Sequence, residues 1–187
     1  MIKAIITDFD GTLFDTFEAN YYAYKEAIVK NTGIELTKDM YKECFGLRFK
    51  EFMKRIGITN FISMDKIKKD KAKLYSKYFD LIAPNFELIA FLTTMRRNNL
   101  RIAIASTASR ENLTNVLHHF GLINLFDDII TGENVVNGKP DPEVYIFTMS
   151  RLGLSSDEVL IFEDSEVGIQ AAQASGASVI KIKEKLF

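Results

Sequence analysis

The apolar run Ala4-Ile5-Ile6-Thr7 ends in Asp8-Phe9-Asp10-Gly11-Thr12-Leu13-Phe14-Asp15, and this stretch constrains the possible folds most. A short apolar run reads as a buried strand, and Gly11 lets the backbone turn tightly after it. Carboxylates two residues apart at the end of such a strand are costly, because in water-poor surroundings like charges raise each other's pKa unless a cation lies between them. The arrangement points to a divalent metal, and hard oxygen ligands point to magnesium. In an open parallel sheet the carboxyl end of a strand is also where ligands bind. Aspartates that merely cap a turn are the plain alternative, to be weighed against the rest of the chain.

Beyond Asp15 the apolar spacing turns helical. Phe17, Tyr21, Tyr24 and Ile28 share one face of a helix that Gly33 is placed to end. Thr37 caps a second helix from Lys38 to about Cys44, and Phe49, Phe52, Met53 and Ile56 mark a third that stops at Gly57. A fourth runs from Asp65 to about Phe79. No strand pattern interrupts them, so residues 16–81 read as an all-helical insertion, hinged near Asp15-Thr16 and Ala83-Pro84. From Asn85 onward strands and helices alternate. The strands are Arg101–Ala105, Asp128–Thr131, Val159–Phe162 and Ser178 to about Ile182, and the intervening helices start after Asn85, Ser109, Asp141 and Asp164. This order predicts an α/β fold: a Rossmann-like parallel-sheet core from residues 1–15 and 82–187, with an inserted all-helical cap from residues 16–81.

A chain of 187 residues with 47% hydrophobic and 26% charged residues has the makeup of a soluble globular enzyme. A net charge of -1 gives no overall argument for nucleic acid or an anionic membrane as partner. No apolar run approaches the length of a membrane span, and Met1-Ile2-Lys3 leads straight into a strand, so a cytoplasmic protein is expected. The lone Cys44 excludes an internal disulfide and fits a reducing compartment. Charge divides unevenly. Residues 16–81 carry fourteen lysines and arginines against nine acids, whereas the remainder carries ten against sixteen. Most of the lysines among Lys66, Lys68, Lys69, Lys71, Lys73 and Lys77 read as a solvated helix face, and a basic lobe over an acidic floor would draw in phosphorylated substrates. His118 and His119, at a helix end, are given no role.

Three later positions bear on the first acids. Ser106 ends a buried strand, where its hydroxyl and the amides of Thr107 and Ala108 can hold an anion's oxygens or cap the following helix. Lys139, in Gly138-Lys139-Pro140-Asp141-Pro142, sits in a loop stiffened by two prolines that aims its ammonium. Glu163-Asp164 repeats the costly pairing of acids after an apolar strand. Taken in order, Asp8-x-Asp10-Gly11-Thr12, Ser106, Gly138 to Pro142, and Phe162 to Ala172 resemble the four motifs of the haloacid dehalogenase-like superfamily. The match is nearest to the subfamily whose helical cap follows the first motif, which includes sugar-phosphate phosphatases, phosphoglycolate phosphatases and beta-phosphoglucomutase.

The resemblance implies a role for each matching residue. Asp8 is expected to be the nucleophile that becomes an aspartyl phosphate, and Asp10 the general acid and base, with its main-chain carbonyl on the metal. Magnesium would be held by Asp8, Asp10, Glu163 and Asp164. Ser106 and Lys139 would bind the transferring oxygens together with the amides of Thr107 and Ala108, and Thr12 would support the loop. Asn20, Phe45, Arg48 and Phe49 are candidate substrate contacts in the cap. Relatives acting as ATPases usually carry threonine at the position of Asp10, and dehalogenases lack that acid and the metal set, so both readings are disfavoured. The expected activity is magnesium-dependent hydrolysis of a small phosphorylated metabolite by a monomer or weak homodimer, without nucleic acid or membrane. The alternatives are a phosphomutase and a binding protein on the same scaffold. The mutase reading is weakened by Asn20 and Phe49, where beta-phosphoglucomutase carries histidine and arginine. Relatives also usually continue beyond the position of Phe187 with another strand and helix.

Overall fold

A computed structural model describes residues 1–183, so Phe187 lies outside the described residues. In chain order the elements are β1 (Ala4–Thr7), β2 (Phe14–Asp15), α1 (Phe17–Thr32), α2 (Lys38–Lys42), α3 (Phe49–Arg55), α4 (Phe61–Tyr75), β3 (Ala83–Pro84), α5 (Phe86–Arg97), β4 (Arg101–Ala105), α6 (Arg110–His119), β5 (Asp128–Ile130), α7 (Glu143–Leu152), β6 (Val159–Glu163), α8 (Glu166–Ala174) and β7 (Ser178–Lys181). They form two compact units, Met1–Asp15 with Pro84–Phe187, and Thr16–Ala83.

In the first unit five parallel strands lie in the order β5-β4-β1-β6-β7. Every residue of β1 is buried, which its central place in the sheet requires. Ala4 and Ile6, Ala103 and Ala105, and Val159 and Ile161 pack with Val144, Tyr145 and Met149 of α7 and Ala171 and Ala172 of α8. Alanines on both strands and helix let the backbones approach closely there. Ile5, Ile102 and Ile104 alternate with these residues and are equally buried, as strand geometry demands of a sheet covered on both faces. Register is shared across the centre: Thr7 lies beside Ile104 on one side and Phe162 on the other. The ends of β1, β4 and β6 are therefore level.

The second unit is helical throughout its described interior. Tyr21, Ala27, Ile28, Leu36, Tyr41, Phe52, Met53, Met64 and Ile67 form its core. Gly33 ends α1 in the left-handed conformation at φ 73°, as the sequence predicts. Several boundaries differ from the sequence reading, and α4 ends at Tyr75 rather than about Phe79. α4 starts at Phe61 rather than Asp65, because the Asn60 side chain accepts the amides of Ile62 and Ser63 and caps the helix one turn earlier. α2 stops at Lys42, so Cys44 lies in the following turn, buried. Among the α4 lysines, Lys66, Lys68, Lys69 and Lys73 are exposed, but Lys71 is only 3% exposed, its ammonium over the rings of Tyr24 and Tyr75 at 5.1 and 3.6 Å. No described helix is long and apolar enough to cross a membrane.

Candidate active site

Level strand ends bring distant residues together. Asp8 follows β1, and its amide donates to Phe162 O at 2.9 Å, which fixes it beside Glu163 at the end of β6 and Asp164 just beyond. One carboxylate oxygen from each of Asp8, Glu163 and Asp164 lies within 4.8 Å of the others. Asp8 and Glu163 are buried, and Asp164 is half-buried.

Lys139 enters this cluster from the loop between β5 and α7. Glu143, in the first turn of α7, accepts the amides of Val136 and Asn137 at 2.9 and 2.7 Å and so ties down the loop that carries the lysine. The Lys139 ammonium lies 2.6 Å from Asp8 Oδ1 and 3.4 Å from the Ala105 carbonyl, and it also pairs with Glu163 Oε1. Its side chain is 6% exposed.

Glu163 is fully enclosed. Oε1 accepts from Lys139 and from the Tyr145 hydroxyl at 2.9 Å, and Oε2 accepts from the Ser165 amide and hydroxyl at 3.0 and 3.1 Å. Both oxygens are thus engaged by protein donors. Below the carboxylate lies Gly168 of α8, where any Cβ would collide with it. Asp164 is held in a parallel way: Thr12 donates to its Oδ1 at 2.5 Å, and a Cβ on Gly11, at φ 94°, would strike its carboxylate.

Three carboxylates around one ammonium leave two negative charges uncompensated, and the titration behaviour reflects it. Burial pushes the Asp8 carboxyl well above its usual range against the pull of Lys139, with repulsion from Glu163 and Asp164 adding to the rise. Burial likewise raises Asp164 to about 6, despite the bond from Thr12. Burial would also raise Glu163, but Lys139 and Tyr145 more than offset it and hold that carboxyl below the ordinary value. For Lys139, burial disfavours the charge, yet Asp8, Tyr145 and Glu163 outweigh it and keep the ammonium protonated. A divalent cation fits this donor set in charge and in chemistry, since only hard oxygens are offered.

The other expected residues fall as follows. Ser106 is buried after β4, with its amide on Ile130 O at 3.0 Å, and its Oγ accepts the Ala108 amide at 3.1 Å. The turn thus uses the hydroxyl as a cap, next to Thr107, whose carbonyl leaves no room for a side chain on Gly132. Asp10 is half-buried in the turn after β1, bridged to Phe14. In the helical unit Asn20 is buried and Arg48 half-buried. Phe45 packs on Phe17 and Tyr41, and Phe49 stacks on Tyr24, so both rings contribute to that unit's own aromatic cluster.

Sequence reasoning missed Tyr145 and Asn85 as parts of the site, and Gly168, within the Phe162 to Ala172 motif, is given no role there. Asn85, 1% exposed, caps α5 through Leu88 N and donates to the Thr12 carbonyl at 3.1 Å, bracing the turn after β1. Its place before an apolar helix signals a cap, but nothing in the sequence signals the bond to Thr12.

The comparisons with known proteins agree with this geometry. The chain is 28% identical over 183 residues to the phosphorylated carbohydrates phosphatase of Thermotoga maritima, covering 94% of this chain and 82% of that protein. It is 26% identical over 191 residues to beta-phosphoglucomutase of Bacillus subtilis, covering 97% and 83%. The crystal structure of CbbY from Rhodobacter sphaeroides in complex with phosphate superposes with a TM-score of 0.89 at 26% identity, covering 98% of this chain and 87% of that one. The family model described as haloacid dehalogenase-like hydrolase matches residues 5–182, and the chain belongs to that family.

Proposed function

We propose that the protein is a magnesium-dependent phosphatase that hydrolyses a small phosphomonoester, a sugar phosphate or similar metabolite, through an aspartyl phosphate on Asp8. The observation that carries this reading is the Asp8–Lys139 pair buried beside Glu163 and Asp164. A carboxylate so placed can attack phosphorus while the ammonium offsets charge on the transferring oxygens. The phosphatase of Thermotoga and the phosphate-bound CbbY structure support a phosphorylated ligand.

In the first displacement an Asp8 oxygen bonds to phosphorus as the bond to the alcohol oxygen breaks, and Asp10 gives its proton to that oxygen. In the second, water attacks the phosphoryl group, Asp10 takes the proton back, and phosphate leaves with Asp8 regenerated. Lys139 and Ser106 bind the transferring oxygens, with the Thr107 and Ala108 amides at the same turn. Asp8, Asp164 and the Asp10 carbonyl would hold the metal, whereas Glu163, also expected as a ligand, has both oxygens taken by protein donors and would contribute its charge. Bound there, magnesium supplies the positive charge that lets an anionic nucleophile meet an anionic phosphate. Asn20, Phe45, Arg48 and Phe49 are candidates for substrate selection in the helical unit.

The test is phosphate release with magnesium across sugar phosphates, phosphoglycolate and nucleotides, with Asp8→Asn run beside the parent. Release from one group, absent in the variant, supports the phosphatase. The Bacillus relative keeps a mutase reading in view. Isomerised sugar phosphate without net phosphate would establish it. Neither product on any ester would favour a binding protein.

A further inference from the structure

Tyr145 is the third residue of α7, six positions after Lys139, and is fully buried. Its ring belongs to the core between the sheet and α7, packed with residues such as Ala4, Ala103 and Met149, so its position is set by close packing. Its hydroxyl donates to Glu163 Oε1 at 2.9 Å. The Lys139 ammonium, bonded to the same oxygen, also lies over the Tyr145 ring, 4.9 Å from its centroid. One rigid side chain therefore touches both members of the ion pair that ends on Asp8.

We infer that Tyr145 is a positioning residue: through its hydroxyl on Glu163 and its ring beneath Lys139 it holds the lysine ammonium at the place where the transferring phosphoryl group is bound. A lysine on a flexible four-carbon stem does not define such a place by itself. Glu163 defines it, and Glu163 is defined in turn by Ser165 on one oxygen, Tyr145 on the other and Gly168 below. A phenol suits this post because it is a neutral donor. An arginine or lysine there would add a positive charge beside the cation site, whereas a phenol hydroxyl donates to Glu163 without one. Phenylalanine would fill the same volume but leave Oε1 with one donor fewer, and small displacements of fixed donors are expensive in phosphoryl transfer.

The inference rests on the phosphatase reading, and the experiment separates the two. Parent, Tyr145→Phe, Lys139→Ala and the double variant are assayed on p-nitrophenyl phosphate with magnesium, alongside melting temperatures and inhibition by orthovanadate and inorganic phosphate. Tyr145→Phe should lower kcat about tenfold with KM within about twofold, the scale found when an outer-shell partner of a site is removed. Vanadate inhibition should weaken by a similar factor while phosphate inhibition holds, because vanadate mimics the transition state. In the Lys139→Ala background the same change should have no further effect, since its influence passes through the lysine. Unchanged kcat in Tyr145→Phe, or equal losses in both backgrounds, would overturn the positioning role and leave the phosphatase standing. A parent without turnover on any ester would overturn both.

Discussion

The two units hold themselves together by different physics. In the α/β unit the central residues are charged, buried or half-buried, and individually partnered: Asp8 by Lys139, Glu163 by four donors, Asp164 by Thr12. In the helical unit the centre is a cluster of rings, with Tyr41 packed against Phe17, Tyr21, Tyr24, Phe45 and Phe52. A ring cluster tolerates repacking, whereas a buried charge that loses its partner does not. The first unit is therefore pinned residue by residue, and the second is free to vary. That is the division expected if one unit performs a fixed reaction and the other selects substrates.

Glycine substitutions test this contrast most sharply. Gly168 lies inside α8, where alanine is the better helix former, so propensity alone predicts a small gain. The collision with Glu163 predicts the reverse, a loss of about 3–5 kcal/mol and of most turnover, because the buried ion pair is broken. Gly57 of the helical unit, at φ 83° with open space around it, should cost only about 1 kcal/mol as alanine, and turnover should survive. Urea unfolding and phosphate release on both variants would check this. Equal costs would erase the distinction between the units.

Phe52→Ala should rank next. The ring is 3% exposed and wedged between Tyr24 and Tyr41, so its removal should lower stability by about 3–4 kcal/mol. Magnesium affinity, measured by calorimetry, should stay within about twofold, since the acids belong to the other unit. A large loss of affinity would mean that the ring cluster and the acids are coupled.

Metal and pH give a smaller effect with a definite sign. The folded-state pKa of Asp164, about 6, lies above the ordinary carboxylate value. Its contribution to metal-free stability is thus present below pH about 4 and is lost as pH rises through about 6, by roughly 3 kcal/mol. Magnesium should raise the melting temperature above that pH, and the increment should shrink below it as protons compete for the carboxylate. Melting curves at pH 5 and 7.5, each with and without magnesium, should show the larger increment at the higher pH. The reverse order would remove Asp164 from the metal set.

The smallest effect is expected at the surface of the helical unit. Lys77 and Glu26, both exposed, are 3.4 Å apart, and Lys77→Ala should change stability by less than about 0.5 kcal/mol. A greater change would show that this surface carries more of the unit's stability than its rings suggest.

Much of this molecule is legible in its local patterns. Arg101–Ala105 and Val159–Phe162 are apolar runs bounded by turn residues, so both strands are visible in the chain. The acids after β1 and β6 stand out because carboxylates rarely follow such runs without a purpose. Fainter signals mislead at boundaries. Asp65 looks like a helix start, but Asn60 provides the cap; Phe61 and Ile62 are apolar yet exposed, off the buried stripe of Met64 and Ile67.

The sequence by itself determined the main element types, though not the short strands β2 and β3, which it read as hinges, together with the insertion after the first motif and the residue types of the site, because each depends on neighbours within a few positions. Only the tertiary structure decided that Lys139 bridges Asp8 and Glu163, that the Tyr145 hydroxyl meets the same oxygen, and that Gly168 must lack a side chain. Those contacts depend on the shared register of β1, β4 and β6 and on the seating of α7 and α8 against the sheet. Register and seating are set by the summed packing of Ala4, Ile6, Ala103, Val159 and Ala172, and such a sum over the whole core has no signature in any one stretch of chain.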